Sequence, residues 1–85
     1  MTPAMLARLC AASDFVLDEI KKATPAEEII AILVADHRAT FRRGDPTVLR
    51  VAGVSASCTH DAGSYLLNRW RANAVNKIVM EKANG

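Results

Sequence analysis

Apolar residues recur at helical spacing along most of the chain. Met5, Leu9, Ala12, Val16 and Ile20 fall three or four apart, with Leu6 and Phe15 widening the stripe. Asp14, Asp18, Lys21 and Lys22 take the other side, a pattern that predicts an amphipathic helix from Pro3 to Ala23. Ile29 to Ala35 is an uninterrupted apolar run. A buried strand would fit its length, but the flanking pattern favours helix, and the predicted element runs from Pro25 to Phe41. A helix apolar on every side must be covered on several sides, so it is expected at the centre of the fold or at a dimer interface, with the last helix packed across it. That last helix is predicted from Thr59 to Lys82, with Tyr65, Leu66, Leu67, Trp70, Ala74 and Ile78 on its broad apolar face.

Three Xaa-Pro pairs punctuate this pattern: Thr2-Pro3, Thr24-Pro25 and Asp45-Pro46. Each places a side-chain acceptor before a proline, which reads as a helix start because proline at the first helical position loses no needed hydrogen bond. Thr24-Pro25-Ala26-Glu27 also matches a capping box. Asp45-Pro46 would open a short helix from Pro46 to Ala52, stopped by Gly53. An extended reading of Val48 to Ser55 competes, but it shows no clean polar face. The fold expected is a single all-α domain over residues 1–85. It would be a compact bundle of three main helices (3–23, 25–41 and 59–82) and one short helix (46–52).

Composition adds a reason to expect association. The chain has 85 residues, 51% of them hydrophobic, and fifteen are alanine. Alanine favours helix but buries little area, and so short a chain has a thin stability margin. A homodimer that completes the core is therefore expected. The longest apolar run is too short to span a bilayer, and no basic region followed by an apolar core opens the sequence. A cytoplasmic location with Cys10 and Cys58 reduced follows as the expectation.

The net charge is only +2, but it is unevenly placed. Residues 1–37 carry three basic and six acidic side chains, and residues 38–85 carry eight basic and three acidic ones. The basic half suits an acidic partner. Arg42, Arg43 and Arg50 stand before and within the predicted short helix. Arg69 and Arg71 flank Trp70, the sole tryptophan, one turn beyond Tyr65, the sole tyrosine. Arginine beside aromatic rings is a common composition of binding hot spots. Arg42, Arg43, Arg50, Tyr65, Arg69, Trp70 and Arg71 are thus the candidate partner-binding residues.

Catalytic chemistry has no such footing. Cys58, His60 and Asp61 are close in sequence, but cysteine and histidine two apart on a helix face different sides, and nothing supplies an oxyanion hole. The two cysteines and two histidines lack the short paired spacing of a zinc site. There is no glycine-rich phosphate loop. No catalytic residue, metal or cofactor is expected.

The turn Ala52-Gly53-Val54-Ser55 resembles that of bacterial helix-turn-helix DNA-binding domains. There a small residue ends the first helix, glycine turns the chain, an apolar residue plugs the core and serine leads into the recognition helix. Val48, Ala52 and Val54 fit the buried positions. Leu49 stands where a smaller residue is usual, and Ser57 to Asp61, which would face the bases, contain no arginine. The resemblance implies a DNA-binding transcriptional regulator. The lack of reactive chemistry, the apolar excess and the basic half instead favour a non-enzymatic protein-binding regulator of the phage or bacterial type. It would act as an inhibitor or adaptor and as a homodimer.

Overall fold

In the computed structural model the chain is mixed α/β, not all-α. The structure describes residues 1–59 and 63–84. Helices α1 (Pro3–Lys21) and α2 (Ala26–Asp36) come first. Strands β1 (Thr40–Arg42), β2 (Thr47–Val51) and β3 (Val54–Cys58) form an antiparallel meander in that order, and helix α3 (Ser64–Asn84) closes the chain. Among the described residues no helix is long and apolar enough to cross a membrane.

The first helix matches its sequence signal. Thr2 caps it, its Oγ1 accepting from the Met5 amide at 3.1 Å, and Pro3 takes the first helical position. Leu9, Ala12 and Val16 are fully buried. The second start signal works differently. Pro25 itself stands at the cap with no side-chain bond, so the capping box does not form. The Thr24 hydroxyl donates instead to Glu19 Oε1 at 3.3 Å.

Helix α2 also ends at Asp36, five residues before the predicted Phe41. The amides of His37 and Ala39 both bond the Leu33 carbonyl, and Arg38 takes a left-handed φ of 56°. This is a helix-terminating turn, and it releases Thr40–Arg42 into a strand. The third Xaa-Pro pair starts no helix. Asp45 and Pro46 lie in the β1–β2 turn, where Thr47 Oγ1 donates to the Gly44 carbonyl at 3.0 Å. The predicted short helix 46–52 is strand β2.

Ala52 and Gly53 are the tip of the β2–β3 hairpin. Their φ angles are 50° and 82°. Two consecutive left-handed residues between strands make the hairpin turn whose twist matches the strands it joins. Val51 pairs with Val54 across it, Leu49 with Ala56, and Thr47 with Cys58. Two strands flank the Ala-Gly-Val-Ser turn, so no helix-turn-helix exists here. Beyond the hairpin tip, Val54 to Cys58 alternates strictly. Val54 and Ala56 are buried, and Ser55 and Ser57 face solvent.

The centre of the fold is α3, not α2. Leu66, Leu67, Trp70 and Ala74 are buried along one side of it. That side packs on β3 and on α1. Trp70 is the largest fully buried side chain, and its indole Nε1 donates to the Val54 carbonyl at 2.9 Å. Asn73 Nδ2 donates to the Ser55 carbonyl at 3.1 Å, one turn further along. At the far end the Met1 ammonium sits 3.2 Å from Glu81 and holds its carboxyl below the usual carboxylate range by hydrogen bonding.

Replacing Trp70 by alanine removes this anchor. A chain of this size has a total stability of about 4–13 kcal/mol, and such truncations cost about 3–5 kcal/mol. Thermal unfolding followed by circular dichroism is expected to show Trp70→Ala melting far below wild type or unfolded at room temperature. A melt matching wild type would contradict the central position of the ring.

Candidate partner-binding surface

The strands decide where the arginines go. Side chains alternate between the faces of a sheet. Phe41 lies opposite Leu49, and Leu49 opposite Ala56, on the face that meets the helices. Arg42 and Arg50 therefore project from the other face, with Thr40, Val48, Ser55 and Ser57. Arg42 pairs with Val48, which makes Arg50 its diagonal neighbour. Diagonal side chains lie about 7–8 Å apart. Arg43 stays on the helix side of the sheet, its guanidinium 5.6 Å from the Phe41 ring centroid.

None of these three arginines takes part in an ion pair among the described residues. The pairs present are Met1–Glu81, Lys22–Glu19 and Lys77–Glu81. Two like charges at this diagonal spacing repel by about 0.5 kcal/mol in water, little enough for a folded chain to tolerate. A carboxylate brought between them would reverse the sign.

An apolar groove runs beside them. Glu27, Ile30, Ala31 and Val34 share one face of α2 and form one wall, and Phe41 and Arg43 form the other. The groove is open and holds about 430 Å³. Val34 is 45% exposed in it, although it belongs to the most apolar stretch of the chain.

The remaining candidates lie on α3 and do not join this group. Trp70 is enclosed in the core, so Arg69-Trp70-Arg71 is not a continuous surface. Arg69 is exposed, and its Nη1 donates to the Tyr65 hydroxyl at 3.3 Å. Arg71 is half-buried, with its Nε shielded from water and without a hydrogen-bond partner. Tyr65 is 58% exposed and points away from the core. It begins an outward row that sequence reasoning missed: Tyr65, Asn68, Ala72, Val75 and Val79, spaced alternately three and four apart. Val79 and the neighbouring Met80 are 59% and 60% exposed. The same spacing is visible in the sequence, but the Trp70 side of the helix offers a larger apolar face and masks it.

Cys10 and Cys58 are half-buried and are not joined in a disulfide. His60 and Asp61, the sequence neighbours of Cys58, lie outside the described residues. Among the described residues no group of three or more histidine, cysteine or acidic side chains could hold a metal ion. No protein-family model, curated protein or solved structure matches the chain.

If Arg42 and Arg50 have no structural task, reversing their charge should leave the fold intact. Urea unfolding of the Arg42→Glu/Arg50→Glu variant is expected within about 0.5 kcal/mol of wild type. A loss of several kcal/mol would show that both side chains hold the sheet together.

Proposed function

We propose that the chain is a non-enzymatic protein-binding regulator, an inhibitor or adaptor, that takes an acidic partner on its sheet. The observation that carries this reading is the grouping of Arg42 and Arg50 on adjacent strands, with Arg43 just beyond β1, all without ion-pair partners among the described residues and beside an open apolar groove. Charges arranged in this way steer a partner of opposite sign and fix its register, and the apolar wall supplies the burial that holds it. Among the described residues the solvent face of the sheet lacks the exposed aromatic rings on which nucleic-acid bases stack, which favours a protein partner over a single strand.

Homodimerisation is part of this proposal. The outward row on α3 repeats as a coiled-coil seam does, and α3 is 21 residues long. A second copy would cover Val75, Val79 and Met80 and leave the sheet of each copy free.

Three measurements test the proposal. Affinity purification with mass spectrometry is expected to return a specific set of proteins with the wild-type chain and to lose it with Arg42→Glu/Arg50→Glu. Retention of the same set by the variant would contradict the site. Binding of random duplex DNA at micromolar protein, falling steeply with salt, would contradict the partner class. Light scattering is expected to give twice the 9.2 kDa chain mass, reverting to one chain mass in Val79→Asp. A wild-type monomer at every concentration would remove the dimer.

A further inference from the structure

The two edges of the sheet are not equivalent. Asn73 bonds the outward Ser55 carbonyl, and α3 packs along β3. Nothing comparable covers β1 among the described residues. A two-residue hairpin closes on a hydrogen-bonded pair, here Val51 and Val54, and bonded pairs then alternate along each strand. Thr47, Leu49 and Val51 therefore bond β3, whereas Val48 and Arg50 bond β1 through Arg42 and Thr40. The Phe41 N–H and C=O are left pointing outward from the sheet edge, next to the groove.

Resting on the reading of an acidic protein partner, we propose that this edge takes an extended segment of that partner as a fourth, antiparallel strand. The segment would carry the pattern acidic–apolar–acidic. Its central residue would exchange two backbone hydrogen bonds with Phe41. The central side chain then points to the same side as Phe41, into the groove walled by Ile30 and Val34. Its two neighbours point to the opposite face, where Arg42 and Arg50 stand. Backbone bonds supply affinity in such strand addition, and the alternating side chains supply selectivity.

Charge works against a second copy as the occupant. Pairing β1 with its own copy would bring two sets of Arg42, Arg43 and Arg50 together, with Glu27 the sole acidic wall residue of each groove. Charged side chains on an edge strand do guard against this self-pairing. That task needs no apolar groove alongside the edge, and the groove is what a foreign side chain would fill.

The probe is a short fluorescent peptide with one leucine flanked directly by two glutamates in a threonine-rich frame. The control has the same composition, with each glutamate moved one position further from the leucine, onto the leucine's own face. Fluorescence polarisation is expected to show the first peptide binding about tenfold tighter than the control. N-methylation of its leucine amide, which removes the donor to the Phe41 carbonyl and leaves the protein untouched, should weaken it about tenfold. Arg42→Glu, confirmed folded by circular dichroism, should weaken it as well. Equal binding of both peptides, or indifference to N-methylation, overturns strand addition. If Arg42→Glu still weakens binding in that case, the acidic-partner reading survives. Binding indifferent to Arg42→Glu overturns both, and no binding at millimolar peptide overturns strand addition.

Discussion

The hydrogen bond from the Trp70 indole to the Val54 carbonyl sets the position of nearly every other element. A buried indole N–H must find an acceptor, because leaving it unpaired costs about 1–3 kcal/mol. Val54 is the first residue after the hairpin tip. The bond therefore fixes where α3 lies along β3 and, through the hairpin, the register of β2. A slip of one residue would turn Leu49, Val51 and Ala56 outward and bury Arg50 and Ser55. Arg42 and Arg50 lie on the solvent face because the tryptophan helps hold this register in place.

The same anchoring makes the sheet asymmetric. With α3 committed to β3, α2 meets the sheet beside β1, at the opposite edge. Ile30 is buried where α2 meets the core, but Val34, one turn further on, stands 45% exposed in the open groove beside Phe41. This leaves a helix from the most apolar part of the chain with one side uncovered. The uncovered side adjoins β1, the sheet edge along which α3 does not pack among the described residues. An apolar wall, outward backbone groups and arginines without ion-pair partners among the described residues thus meet at one place, which is why the partner-binding reading rests on the sheet and not on α3.

Part of this was legible in the chain. The Thr2-Pro3 cap and the Leu9–Ala12–Val16 stripe specify α1 by local rules alone, and α3 follows from a long periodic face around Trp70. The strands escaped because each is short and its signal ambiguous. Val48-Leu49-Arg50-Val51 shows imperfect alternation because Val48 lies on the solvent face. Val54 to Cys58 alternates well, but its inward residues include a small alanine and its outward ones are serines, which read as loop or cap. Ala52-Gly53 is compatible with a helix corner and with a hairpin tip, and only pairing between β2 and β3, which is non-local, decides between them. Arg42, Arg43 and Arg50 were legible as candidates from charge alone. Their convergence was not, because it depends on a register that no local pattern encodes.

Amide hydrogen exchange, measured residue by residue by nuclear magnetic resonance, reads the Trp70 anchor and the open edge in one experiment. Slow exchange is predicted for the Trp70 indole N–H and for the Leu49 and Val51 amides, which bond across to β3, with fast exchange for the Phe41 amide at the open edge. Fast exchange at Leu49 and Val51, or a Phe41 amide as protected as theirs, would contradict this arrangement.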